Sequence, residues 1–214
     1  HVPSFDVKLI RKLIDNAYKL DEGNAAWCDG LATAFNFQTG LRFGEQAALR
    51  WKALDLKNKK RVYVRTAQRV VKEGVAIGGV KTDFSKRYVK LTPTLVNALI
   101  AWRLRSPFSD DNDLVFPTRV GTGQKSGDNW RNRVLHPLCD ATKDEHGTAQ
   151  ERLRWHDGRH FFASMLLLQF GKDWMKIAER MGHANASFTK SQYGKKLELD
   201  DSDDGEDPMA AMFN

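Results

Sequence analysis

One stretch interrupts an otherwise helical rhythm, and it limits what this chain can fold into. In Arg61-Val62-Tyr63-Val64-Arg65-Thr66 and again in Lys86-Arg87-Tyr88-Val89-Lys90-Leu91, apolar and polar residues alternate. That is the period of a half-buried β-strand. Residues 61–71 read as one strand, Gly74 and Gly78-Gly79 punctuate a loop or hairpin, and 86–91 read as a further strand. Outside this stretch apolar residues recur three and four apart. Leu9, Ile10, Leu13, Ile14 and Ala17 mark a helix over 5–20; Trp27, Leu31, Ala34 and Phe35 mark another over 25–37. The predicted class is α+β, mostly helices around a small antiparallel sheet from residues 61–91.

Local signals set several helix ends. Thr39-Gly40 breaks the second helix, and the next runs through Ala47, Ala48, Leu49 and Trp51. Thr92-Pro93 is an N-cap followed by proline at the first helical position. Trp130, Val134, Leu135 and Leu138 predict one helix carrying Arg131 and Arg133, between polar loops at 119–127 and 143–151. A helix from Asp157 to about Gly171 follows, then one capped by Asp173 and stopped by Gly182.

Charge narrows the partners. The whole chain is +7, but from Glu198 onward there are seven acids and no Lys or Arg. Residues 1–197 therefore carry 34 bases against 20 acids, a net of +14. A body that basic suits a polyphosphate partner, DNA or RNA, through counterion release. The reading divides the chain into a domain over 1–197 and an acidic tail over 198–214. The tail's Met209, Met212 and Phe213 would either fold back or pass to a neighbouring subunit. No run approaches the length of a membrane span and no signal-peptide pattern opens the chain. Cys28 and Cys139 stand far apart without metal-ligand spacing, which fits reduced thiols in a cytoplasmic protein. The first residue is His1, so the chain is expected to be a piece of a longer one.

The reactive groups cluster late. In Trp155-His156-Asp157-Gly158-Arg159-His160, His156 and Arg159 are three apart and share a helix face. Phe161, Phe162, Met165 and Leu166 give the same helix an apolar side to bury. An imidazole and a guanidinium at a helix start suit a phosphate. Singly, the other candidates read blandly. Arg42 pairs with Glu45 on the surface, Lys81 is a solvated lysine at a hairpin tip, and Tyr193 is a half-buried tyrosine. His136, His146 and His160 read as structural or surface residues.

In order, however, these residues form a set. Thr39-Gly40-Leu41-Arg42-Phe43-Gly44-Glu45, then Lys81-Thr82 with Ser85 and Arg87, His156-Asp157-Gly158-Arg159-His160, Met181-Gly182-His183, and Tyr193 ten residues further on, resemble the motifs of the tyrosine recombinase catalytic domain, the phage-integrase family. The resemblance spans about Gly40 to Tyr193. Gly158 departs from it, standing where an apolar residue is usual, as does Phe43-Gly44.

The resemblance implies catalytic roles for Arg42, Lys81, His156, Arg159, His183 and Tyr193. Tyr193 would attack the scissile phosphate and leave a 3′-phosphotyrosine. Arg42 and Arg159 would clamp its oxygens. Lys81 would protonate the leaving 5′-oxygen, His156 would assist proton transfer, and His183 would donate a hydrogen bond to the phosphate. It implies no metal and no cofactor. It implies duplex attachment sites as partners, a homotetramer on DNA, accessory DNA-bending proteins, an upstream DNA-binding domain, and work at the nucleoid of a bacterial host integrating or excising a phage or mobile element. Charge and location add Lys86, Arg87, Arg131 and Arg133 as phosphate contacts. Two other readings stay open: a type IB topoisomerase-like enzyme and a catalytically silent DNA binder.

Overall fold

The computed structural model describes residues 5–22, 28–71, 74–80, 85–123 and 126–193, with Met209 and Met212. Trp27, Lys81, Phe213 and the acidic run of the tail lie outside the described residues.

Helix α1 (Val7–Leu20) starts where the Asp6 carboxylate accepts from the amides of Lys8 and Leu9. It lays Ile10, Leu13, Ile14 and Ala17 against α2 (Asp29–Thr39). Helix α2 is buried from Gly30 through Thr39, the pattern of a helix at the centre of a domain. Two of its buried polar residues are paired inside: Gln38 donates to the Tyr18 hydroxyl at 2.7 Å, and Thr39 to the Phe35 carbonyl at 2.6 Å. Helix α2 stops at Gly40, whose φ of 60° is left-handed. The short α3 (Phe43–Ala47) follows, then a 3₁₀ turn, Trp51–Ala53. The helix expected to run through Trp51 thus ends at Ala47.

The sheet region departs from expectation in an informative way. Residues 61–71 are two strands, β2 (Arg61–Val64) and β3 (Thr66–Val71), parted at Arg65. Strand β2 pairs with β1 (Leu54–Asp55) and, on its other side, with β5 (Arg87–Lys90). Strand β3 leaves that sheet and pairs with β4 (Gly74–Gly79) as a separate antiparallel hairpin. Gly74 to Gly79, read as a loop or hairpin, is the second strand of that hairpin. Its six residues are held by register with β3, from Thr66 opposite Gly79 to Val71 opposite Gly74, and little by their own propensity.

Helix α4 (Pro93–Arg105) begins as its sequence predicts, with the Thr92 hydroxyl accepting from the Leu95 amide. The single helix expected around Trp130 to Leu138 is instead α5 (Gly127–Trp130), a π-helical turn (Arg131–Leu135) and α6 (His136–Ala141). Pro137 has no N–H to continue the α-ladder, so the pitch widens just before it. Helices α7 (Trp155–Phe170), α8 (Trp174–Met181) and α9 (Ala186–Tyr193) close the domain. Asp173 caps α8, and Gly182, left-handed at φ 64°, stops it. No helix among the described residues is long and apolar enough to cross a membrane.

Helix α7 lies across α2, with Phe161 against Phe37 at 6.0 Å between ring centres. The approach requires Gly158: a Cβ there would sit 1.9 Å from Asn36 Oδ1. The departure at Gly158 is thus a packing requirement of this chain. Met209 and Met212 are buried. Met209 lines a groove of about 250 Å³ with Val89, Leu91, Phe162 and Met165 of its own chain.

Candidate active site

Three of the sequence motifs meet at Arg159. The residue is 2% exposed on the inner side of α7. Its Nη1 donates to the Gly40 carbonyl at 2.7 Å and its Nη2 to the Met181 carbonyl. Those carbonyls end α2 and α8, where helix dipoles concentrate partial negative charge. Nη2 also lies 3.0 Å from His183 Nε2. A guanidinium only donates, so Nε2 accepts, and Nδ1 carries the proton toward Thr189 Oγ1 at 2.8 Å. His183 therefore faces the site as an acceptor. Donation to a phosphate, the role expected from the resemblance, requires it first to release Arg159.

Arg42 caps α3, the helix that holds Glu45. Glu45 Oε2 accepts from the Arg42 amide at 2.9 Å and Oε1 from the Arg42 guanidinium at 3.0 Å. Behind it, the buried Arg87 grips both carboxylate oxygens, Nη2 at 2.9 Å and Nη1 at 3.2 Å. Burial disfavours the Glu45 charge, but the Arg87 charge and hydrogen bonds outweigh it, helped by Arg159 and the Arg42 amide, and bring its pKa to about 2. The expectation that Arg87 touches phosphate is corrected here. On β5 the inward residues are Arg87 and Val89, the outward ones Tyr88 and Lys90; Arg87 is a buried support for Glu45.

Three guanidiniums thus surround one carboxylate. Burial first, then Arg42 and Arg87, push the Arg159 pKa down to about 9, and only Glu45 and Tyr193 act to raise it. The cations exceed the acids, and the cleft beside them, about 540 Å³, is lined by Arg42, Glu45, Gln68, Val80, His183 and Phe188. Val80 on its wall is the residue before Lys81. Gly44 permits the hairpin wall to close in, because a Cβ there would lie 2.5 Å from the Gln68 carbonyl. Phe43 packs edge-on against Trp155 at 5.4 Å, fixing the start of α3 to the start of α7. Both unusual residues after Arg42 therefore carry tertiary contacts.

Tyr193 ends α9 and is 3% exposed. Burial raises its phenol pKa, while Arg159 and Arg42 pull it back. Its hydroxyl lies 3.1 Å from His160 Nδ1. His156, exposed one turn earlier on α7, stacks edge-on against His160 at 4.8 Å. The packing around its ring, then Arg159 and Arg42, lower the His156 pKa. Burial and His156 bring His160 to about 4; burial and Arg159 bring His183 to about 3. In all three imidazoles burial favours the neutral form.

Arg42, His156, Arg159, His183 and Tyr193 accordingly stand in one region, linked by contacts or by mutual electrostatic influence. Lys81 lies outside the described residues. Lys86 is exposed before β5; Arg131 is ion-paired with Asp128 at 2.8 Å, and the exposed Arg133 acts electrostatically on Asp29. Sequence reading passed over His160 and Thr189. His160 was detectable as the i+4 neighbour of His156, on the same helix face; Thr189 carried no local signal. Among the described residues no three His, Cys, Asp or Glu side chains group to hold a metal ion.

The sequence profile described as "Phage integrase family" matches residues 4–198. The chain belongs to the phage integrase family. Within it, the ICEBs1 integrase of Bacillus subtilis (strain 168) is 29% identical over 167 residues, covering 74% of this chain and 42% of that protein. Among solved structures, the Tn1549 transposon integrase (residues 82–397) in complex with circular intermediate DNA superposes with a TM-score of 0.63 at 18% identity, over 83% of this chain and 59% of that one. XerH site-specific recombinase bound to palindromic difH substrate gives 0.62 at 20% identity, over 92% and 51%. The fold of this phage integrase family member is thus that of the tyrosine recombinase catalytic domain, and it spans about half the length of the relatives it matches.

Proposed function

We propose that this chain is the strand-cleaving and rejoining domain of a site-specific DNA recombinase that integrates or excises a mobile element. One observation carries the reading. A tyrosine hydroxyl and an anion-seeking cluster of three arginines with one carboxylate are assembled around the same helix, α7. A phosphodiester brings the negative charge this cluster lacks, and an attacking oxygen is what Tyr193 supplies.

In the reaction, Tyr193 Oη bonds to phosphorus and the 5′-oxygen leaves, giving a 3′-phosphotyrosine. Arg42 and Arg159 hold the non-bridging oxygens as negative charge grows on them. Arg159 is already aimed by the two helix ends that it grips. Lys81, next in sequence to Val80 on the cleft wall, protonates the leaving oxygen. The phosphotyrosine conserves the energy of the broken diester, and a 5′-hydroxyl from a second duplex reverses the step onto a new strand. Each protomer holds one such tyrosine and two duplexes exchange four strands, so the acting form is a homotetramer on paired sites. Accessory DNA-bending proteins, an upstream DNA-binding domain and a place at the bacterial nucleoid extend the same reading. So do Lys86, Arg131 and Arg133 as phosphate contacts and the 198–214 segment as an acidic tail whose Met209 and Met212 return to the body of the domain.

The test is covalent capture. The chain is incubated with nicked duplexes carrying a randomised core, denatured in detergent, and the protein-bound DNA is recovered and sequenced. A covalent band lost in Tyr193→Phe is expected. A band that survives that change would name another nucleophile. Relaxation of supercoiled plasmid with no joining of two duplexes would replace recombination with topoisomerase action.

A further inference from the structure

We propose that His160 is the general base of the cleavage step, its Nδ1 taking the proton from Tyr193 Oη as that oxygen attacks phosphorus. The inference rests on the reading of Tyr193 as the nucleophile, and goes beyond it by naming where the phenolic proton goes.

Geometry selects His160 from three imidazoles. Its Nδ1 lies 3.1 Å from the Tyr193 hydroxyl, within reach of a direct transfer. His183 has no lone pair to offer: Nε2 already accepts from Arg159, and Nδ1 is the protonated nitrogen facing Thr189. His156 meets the phenol only through His160, whose ring it contacts edge-on at 4.8 Å. The shared helix face makes a row, His156, His160, then Tyr193, that leads from the exposed rim to the buried hydroxyl.

The step balances without another reagent. The Tyr193 O–H bond breaks and an N–H bond forms on His160, giving an imidazolium. The Oη–P bond forms, the P–O5′ bond breaks, and the departing oxygen takes its proton from a separate acid, Lys81 in the mechanism above. On resealing, the incoming 5′-hydroxyl gives its proton back to the now neutral Lys81 as its oxygen displaces Tyr193, and the imidazolium returns its proton to Oη. The surroundings suit this cycle. Burial, with His156, Arg154 and Arg159, keeps the imidazole neutral and its lone pair available, and Asp157 alone opposes them. A phosphate anion seated on Arg159 cancels part of that positive field, so the base strengthens when substrate arrives.

The experiment compares the 214-residue wild-type chain with His160→Asn on the duplex recovered by covalent capture. It uses an ordinary phosphodiester and one whose 5′-bridging oxygen is sulfur, since a thiolate leaves without a proton. Asparagine can keep a hydrogen bond to Tyr193 but cannot accept its proton. The expected result is an unchanged melting temperature and unchanged DNA binding, with cleavage slowed about 100-fold or more on both substrates. Lys81→Ala should differ, recovering on the sulfur substrate. Cleavage by His160→Asn within a few-fold of wild type, or rescue by sulfur, would overturn the assignment. If the variant folds poorly, the wild type decides. On the sulfur substrate the only proton in flight is the phenol's, so a normal solvent deuterium isotope effect is expected and its absence would sink the idea. A wild type that forms no adduct at all refutes the strand-cleavage reading instead, a separate outcome.

Discussion

Two helices of this protein start with the same four-residue pattern: arginine, aromatic, any residue, acid. In α3 it is Arg42-Phe43-Gly44-Glu45, in α7 Arg154-Trp155-His156-Asp157. In both, the acid accepts from the amide of the capping arginine, at 2.9 Å and 2.7 Å, and pairs with its guanidinium at 3.0 Å. In both, the acid is buried. The two aromatics even pack on each other. Yet Arg154 is 62% exposed and ends the matter there, whereas Glu45 takes a second, buried arginine, Arg87, from the sheet. One start is a cap. The other is the floor of the cleft. The local motif makes a helix begin; what reaches it from the rest of the fold decides whether it also builds a site.

That contrast can be broken at Glu45 first. Glu45→Gln leaves Arg87 and Arg42 without a counter-charge, and should cost about 3–5 kcal/mol in denaturant unfolding. Its acid response should change too. The folded pKa of about 2 lies below the ordinary 4.5, so the stabilisation is complete above pH 4.5 and drains away as the pH falls toward 2. Wild type should lose stability across that window and the variant should lose less. His160 and His183, held near 4 and 3, add a loss that begins at higher pH, as the unfolded imidazoles take protons below 6.5.

Gly158→Ala comes next. The methyl forced against Asn36 should cost about 1–3 kcal/mol, and pairing it with Asn36→Ala should recover part of that loss in a double-mutant cycle. Asp157→Asn, the counterpart of the Glu45 change, removes a cap without stranding a buried cation; about 1 kcal/mol is expected by thermal melting. The smallest effect is Phe43→Leu, at about 0.5–1.5 kcal/mol, read in the same assay. Equal losses at Glu45 and Asp157 would erase the distinction between the two starts.

Legibility from sequence followed the range of the interaction. The ends of α4 and α8 were readable because Thr92-Pro93, Asp173 and Gly182 act within one turn. The order and spacing of the arginine, histidine and tyrosine motifs carried the family. What escaped depended on partners distant in sequence. Arg65 parts two strands because β2 answers to β5 and β3 to β4. The contact of His160 with Tyr193 spans 33 residues and leaves no local trace. Arg87 was a different kind of miss. It alternates in phase with the buried Val89, so period two already placed it on the inner face, and weighing charge over phase sent it outward.

Arg159 joins the end of α2 to the end of α8 through Gly40 and Met181. Between those anchors the chain crosses an exposed turn at 119–120 and a polar loop at 143–149. A backbone cut at the first of these would divide the protein into a half bearing Arg42 and a half bearing His156, Arg159, His183 and Tyr193. Neither half would own a cleft, and a single guanidinium would bring both of its anchors into register on reunion. The side chain proposed to hold the phosphate is thus also the seam along which this domain could be taken apart and made to work only when its pieces meet.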